Sequence, residues 1–238
     1  MRHIEVIGIG AGNPDHMTLQ GIAALQSASA VLALDKGDAK SDLLELRREI
    51  VEKHAPGTPI ISVTDPERDR NPDDYKAEVE RWHQARAQLL IDAMPAEGTI
   101  AFLVWGDPSL YDSTLRIIER MRGLGLECTV SVSPGITAVQ ALTAAHGILL
   151  NRIGEDIRIT TGRALREGST SNTVVMLDGG AAWMHVPEAE IWWGAYVGSD
   201  KQVLRHGIVS DIGADLAQEK AALREKHGWI MDIYLLRK

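Results

Sequence analysis

Three times this chain runs from a short apolar stretch through a glycine-bearing turn into a helix-like segment. No other feature constrains the fold as much. His3 to Ile9 ends in Gly8-Ile9-Gly10-Ala11-Gly12-Asn13-Pro14-Asp15. Thr99 to Val104 runs into Trp105-Gly106-Asp107-Pro108-Ser109-Leu110-Tyr111, and Cys128 to Val132 into Ser133-Pro134-Gly135-Ile136-Thr137-Ala138. A short apolar run bounded by turn residues reads as a buried strand. Glycine lets backbones approach closely, and proline stiffens a turn by fixing its own φ. Strand, helix and strand at this spacing form the parallel crossover unit. Repetition of that unit predicts an α/β fold with an open parallel sheet. Ligands of such sheets bind outside the carboxyl ends of the strands, where these three turns lie.

The remaining segments extend the pattern. Thr18 opens a helix through Ser27, and Ala30 to Leu34 is the next strand. Asp42 to Lys53 is helical, with Leu43, Leu46 and Ile50 on one face, and Ile60 to Val63 is a strand. After a polar loop at Glu67 to Asp73, a long amphipathic helix is predicted over Asp74 to Met94, with Tyr75, Val79, Trp82, Leu89 and Ala93 inward. Helices follow at Leu110 to Leu124 and Ile136 to His146. Later strands are expected near Ile157 to Thr161, Thr173 to Leu177, Ile191 to Val197 and Trp229 to Leu236, with a charged helix at Ala214 to Lys226. Full helices do not separate all of these strands, so the second half is expected to hold a mixed sheet. Gly123-Leu124-Gly125 reads as a hinge. The 238 residues then divide into an α/β domain over 1–123 with a mostly parallel sheet, and a second over 124–238.

Composition narrows the function classes. Lys and Arg number 25 against 33 Asp and Glu, a net charge of -8. Such a chain is a poor generic polyanion binder, so no nucleic acid partner is expected. No apolar run approaches the ~18 residues that span a membrane, and no leader pattern is visible, which makes the cytoplasm the expected compartment. Cys128 is the only cysteine, and the eight histidines show no ligand spacing such as H-E-x-x-H. No metal is expected.

Gly8-x-Gly10, followed by Asp35 at the distance of a ribose-binding acid, raises a nicotinamide-dependent oxidoreductase as an alternative. A dinucleotide fingerprint needs glycine three residues after the second one. Asn13 stands there, with Pro14 and Asp15 where a pyrophosphate would sit. The other turns also have plain structural readings, because Asp107 and Thr137 are both good helix-capping residues. Trp192 and Trp193 alternate across a strand, which predicts that one faces out or toward a partner.

The order and wording of the turns resemble a family. Gly8 to Thr18 resembles the opening motif of the tetrapyrrole methylases, Trp105-Gly106-Asp107-Pro108 their central motif, and Pro134-Gly135-Ile136-Thr137-Ala138 their third. Four further passages resemble a member of the aerobic cobalamin pathway: Leu34 to Asp38, Asp42 to Arg47, Trp105 to Arg116 and Thr160 to Leu165. The resemblance implies two α/β domains with a cleft between them that binds S-adenosyl-L-methionine (SAM). S-adenosyl-L-homocysteine would be the cofactor product. It also implies a homodimer and an acidic tetrapyrrole substrate. The implied reaction is methylation of precorrin-5 at C-1 with loss of the C-20 acetyl group as acetate. A tetrapyrrole-binding carrier is the non-enzymatic alternative.

By motif position the resemblance implies cofactor-binding roles for Pro14, Trp105, Gly106, Asp107, Leu110, Thr137 and Ala138. Gly106 and Asp107 would contact the amino-acid end or ribose, Leu110 the adenosine, and Thr137 and Ala138 the methionine part. Asp178 follows a stretch resembling the strand that touches adenosine, where relatives commonly carry an apolar residue. Gly207 matches a late glycine that contacts adenine through its backbone. Asp35 stands where related methylases carry a proton-transferring acid, beside Lys36, where many relatives have arginine. Acetyl loss requires a base and an oxyanion stabiliser, for which Asp35, Lys36, Tyr111 and Asp107 are candidates. Arg47, Arg48, Arg116, Arg158 and Arg163 are candidates for the substrate carboxylates, because guanidinium forks match carboxylate geometry.

Overall fold

The computed structural model describes residues 1–35, 41–67, 69, 71–165 and 171–238. By backbone contacts these form two compact units, residues 1–10 with 14–136 and residues 11–13 with 137–238.

In the first unit the strands are β1 (Arg2–Gly8), β2 (Ala30–Asp35), β3 (Ile60–Thr64), β4 (Gly98–Val104) and β5 (Cys128–Ser133). They form one sheet in the order β3-β2-β4-β1-β5, with every pair parallel. The helices between them are α1 (Leu19–Gln26), α2 (Ser41–His54), α3 (Tyr75–Ala93) and α4 (Thr114–Gly123). Two apolar layers cover the sheet. Ile7, Val31, Ala101 and Leu103 pack with Leu25 of α1 and Leu46 and Ile50 of α2. Ile4, Val6, Leu32, Ile100 and Phe102 pack with Leu90 of α3 and Ile118 of α4 on the other face. Burial on both faces is why these strands read as continuous apolar runs. From β1 the chain goes to β2, two places away, and from β4 it goes to β5 on the far side of β1. That reversal puts a crevice at the carboxyl ends of β1 and β4.

The second unit holds α5 (Ala138–His146), β6 (Arg158–Thr161), β7 (Thr173–Met176), β8 (Glu190–Ala195), β9 (Val203–Ile208), α6 (Val209–His227) and β10 (Asp232–Arg237). Its sheet is mixed, in the order β6-β7-β10-β8-β9, with only β6 and β7 parallel. Trp183, Trp193 and Tyr234 form its core with Val209 and Leu216 of α6.

Several sequence expectations shift. The first unit extends to residue 136, past the expected division at 123, because β5 pairs with β1 along its whole length. Gly123-Leu124-Gly125 is therefore a helix-to-strand turn inside one unit, with Leu124 capping α4, and no hinge. In α3 the buried residues are Arg86, Ala87 and Leu90, while Tyr75 and Leu89 are exposed. Arg86 tolerates burial because Asp65 pairs with it through both carboxylate oxygens and Trp82 lies against its guanidinium at 3.6 Å. Helix α4 starts at Thr114 rather than Leu110, since Tyr111 takes a left-handed φ of 53° that a helix cannot continue through. Helix α6 starts five residues before the expected Ala214, and β9 was not anticipated. Neither Trp192 nor Trp193 faces out. Trp193 is in the core, and Trp192 is covered by a stacked His206 from β9 and by Arg237.

Candidate active site

The three glycine turns converge at the carboxyl edge of the first sheet. Gly10 and Gly106 exchange two backbone hydrogen bonds, Gly10 N–H to Gly106 O at 3.3 Å and Gly106 N–H to Gly10 O at 2.8 Å. Gly135 passes so close that a Cβ there would lie 2.1 Å from Gly106 O and 2.8 Å from Gly8 Cα. Only glycine fits this crossing. Asp107 locks it: Oδ2 accepts the Gly135 N–H at 2.8 Å, and Oδ1 accepts the Ser109 N–H at 2.8 Å and the Ser109 hydroxyl. Burial alone would raise the Asp107 pKa, but the bonds from Ser109 and Gly135 outweigh it and leave the carboxyl below the ordinary range. Asp107 is thus an ionised clasp between two turns.

Around that crossing lie most of the expected cofactor residues of the first unit. Pro14 opens a 3-10 turn (Pro14–His16) after β1. Trp105 is half-buried against the α1–α2 layer, and Leu110 is half-buried, its N–H bonded to Asp107 O. Tyr111 is 46% exposed in its strained conformation, and among the described residues no partner is recorded for its hydroxyl. A bulky residue held at positive φ is a hallmark of functional positions.

Asp35 ends β2 and helps to line a cavity of about 90 Å³ at the carboxyl ends of β2 and β4. Arg47, Arg86 and Asp112 line the same cavity. Lys36 lies outside the described residues. Of the other arginine candidates, Arg48 pairs with Glu45, Arg116 donates to Asp112 O at 3.0 Å and Arg158 to Ala164 O at 3.3 Å. Arg163 is exposed. Among the described residues, no group of three His, Cys, Asp or Glu side chains is brought together.

In the second unit Thr137 and Ala138 open α5. The Thr137 hydroxyl accepts the Val139 N–H at 3.1 Å, and the Thr137 N–H donates to Gln140 Oε1 at 3.1 Å, a capping box. Asp178 follows β7, but its carboxylate is turned inward. It accepts from Gly180 N–H, Ala182 N–H and the Tyr234 hydroxyl, at 3.0, 2.8 and 2.8 Å. The fold thereby occupies the side chain expected at adenosine, and the Tyr234 hydroxyl is pushed up, chiefly by burial. Gly207 sits on β9, the edge of its sheet, where among the described residues only β8 pairs with it. The strand expected to run to Leu177 ends at Met176, and Leu177 is 66% exposed with φ 53°.

The Gly8–Gly12 turn spends its backbone on the neighbouring turns, which leaves the nicotinamide reading without support. A sequence profile of the family described as Tetrapyrrole (Corrin/Porphyrin) Methylases matches residues 3–212. The chain is 45% identical over 250 aligned positions to a Sinorhizobium sp protein named precorrin-6A synthase (deacetylating), covering 100% of this chain and 96% of that one. It is 57% identical to a crystal structure reported for a cobalamin synthesis related protein (CobF) from Corynebacterium diphtheriae. That superposition has a TM-score of 0.88 and covers 100% of this chain and 98% of the other. A uroporphyrin-III C-methyl transferase from Thermus thermophilus, solved with S-adenyl homocysteine, shares the fold at 16% identity and TM-score 0.63, over 99% of this chain and 92% of that one. With three turns that interlock in the order of that family's motifs and a match to its profile over most of its length, this chain belongs to the tetrapyrrole (corrin/porphyrin) methylases.

Proposed function

We propose that this protein is a SAM-dependent C-methyltransferase that methylates precorrin-5 at C-1 and releases its acetyl group as acetate, the reaction of a deacetylating precorrin-6A synthase. The full-length 45% identity to a protein of that name carries this reading. The residues present fit the cofactor. The ionised Asp107 and the close-packed Gly106 backbone suit the ammonium group of the cofactor's amino-acid end, with Pro14, Trp105 and Leu110 beside them. In the second unit Thr137, Ala138 and Gly207 are the proposed contacts, and Asp178 would contribute through its backbone, since its carboxylate is committed. SAM supplies an electrophilic methyl group.

The chain's own part in methyl transfer is positioning and the exclusion of water. Acetyl loss needs more. The oxygen of water must bond to the acetyl carbonyl carbon, and the bond from that carbon to the macrocycle must break with its electron pair left on the macrocycle. The water proton must go to a base. Asp35, at the carboxyl end of β2, is the proposed proton acceptor. The Tyr111 hydroxyl, exposed beside the central motif, is proposed to donate to the developing oxyanion, with Lys36 as the neighbouring cation. The protein is proposed to act as a homodimer in the cytoplasm.

Mass spectrometry after incubation with SAM and precorrin-5 tests the reading. The expected product has gained a methyl group and lost its acetyl group, with one acetate per turnover. Folded protein that binds no SAM and yields no such product would refute it. Asp35→Asn should keep SAM binding and slow acetate release ~100- to 10,000-fold. Near-normal acetate release would remove Asp35 from the mechanism.

A further inference from the structure

Of the five arginines named above as candidates for the substrate carboxylates, Arg47 is the one that lines the cavity at the ends of β2 and β4. Arg47 reaches this cavity from α2 and is held by two main-chain carbonyls, Nε to Leu103 O at 3.0 Å and Nη1 to Leu43 O at 2.9 Å. Those bonds fix the guanidinium plane and leave its Nη2 edge with donors to spare. Among the described residues no carboxylate lies within ion-pair distance of it. Asp112 acts on it only from farther away, and its Oδ1 already accepts the Thr114 N–H at 2.6 Å. Arg86, in the same wall, shows the contrast, because Asp65 neutralises it from both oxygens. Burial pushes the Arg47 pKa down, and the charge of Asp112 offsets this only in part. At about 90 Å³ the cavity exceeds the roughly 10–15 Å³ that one water requires.

We propose that Arg47 and this cavity form a carboxylate subsite, filled by an arm of the tetrapyrrole rim or by the acetate that the reaction releases. A fixed guanidinium edge matches a carboxylate, and its orientation is already set before binding. The identity of the carboxylate rests on the function proposed above; the capacity to bind one does not.

The test uses the full chain with 13C-methyl leucines and no SAM, titrated with sodium acetate and sodium propionate at constant ionic strength against sodium chloride. The methyls of Leu43, Leu44 and Leu103, which line the cavity, should shift saturably with the carboxylates and not with chloride. Arg47→Gln should weaken binding at least about tenfold, with Arg47→Lys in between. If Arg47→Gln does not fold, the wild-type titration decides alone. Absence of a saturable shift, or equal affinity in folded Arg47→Gln, overturns the proposal. With turnover established, a raised KM for precorrin-5 in Arg47→Gln with SAM affinity unchanged identifies a rim carboxylate. Loss of acetate product inhibition at unchanged KM identifies the released acetate. An enzyme that binds the carboxylates but turns over no precorrin would sink the proposed function and leave the subsite standing.

Discussion

Replacing Asp107 by asparagine tests the interlocked turns most directly. The carboxylate takes the Gly135 N–H on one oxygen and the Ser109 N–H on the other, each at 2.8 Å. Asparagine keeps one acceptor oxygen and turns an amide NH2 toward the second donor. One backbone N–H then loses its acceptor. A hydrogen bond to a charged group contributes about 1.5–3 kcal/mol, and because Asp107 is only half-buried, solvent reduces that to about 1–2 kcal/mol. For a chain of this length 1 kcal/mol moves Tm by about 2–4 °C, so a drop of roughly 2–8 °C is expected at pH 7 by circular dichroism. The pH dependence has a definite sign. The folded pKa lies below the ordinary value, so the stabilisation is present above the unfolded pKa and is lost as pH falls through the folded one. The gap between wild type and Asp107→Asn should therefore close as pH drops below about 4. Equal Tm values at neutral pH, or a gap that persists unchanged into acid, would refute the clasp.

Gly135→Ala places a methyl group against backbone on two sides, so urea unfolding should show a loss of roughly 2–4 kcal/mol; a variant as stable as wild type would show that the turns do not touch. Thr137→Val removes the α5 cap and should cost about 0.5–2 kcal/mol of stability, with a separate fall of about 0.5–1.5 kcal/mol in SAM binding if the hydroxyl also meets the cofactor. Unfolding and calorimetric titration read the two effects apart, and unchanged stability would contradict the cap. Lys220 pairs with the buried Asp232 at 2.8 Å and donates to Asp178 O at 2.5 Å. Lys220→Met should cost about 3–5 kcal/mol at neutral pH. That loss should shrink in acid, because burial raises the Asp232 pKa and lets the carboxyl take a proton; a loss independent of pH would exclude an uncompensated charge.

The short-range features were legible in the residues. Turn chemistry placed the three glycine turns, apolar runs placed β2, β4 and β5, and the helices expected from Thr18, Asp74 and Ile136 begin at Leu19, Tyr75 and Ala138. The motif wording placed the chain in its family. Each of these signals is contained within a few residues, where backbone sterics and local hydrogen bonds dominate. Other features depended on partners from distant segments. Strand β4 inserts between β2 and β1, an order no local pattern encodes. Edge strand β9 carries Arg205 and His206, so its apolar signal is weak until β8 pairs with it and Trp192 stacks on His206. The burial of Arg86 has no local signal, because its counter-ion, Asp65, lies 21 residues away. The Asp178 carboxylate, expected near adenosine, accepts the hydroxyl of Tyr234, 56 residues on, a partner no local pattern reveals. Whether a charge is buried, paired or, as at Arg47, held by main-chain carbonyls depends on which groups the fold brings beside it. Local residue patterns fix most of the strands and the glycine turns, whereas the neighbours of each charged group come from tertiary packing, because desolvation and pairing act between segments far apart in the chain.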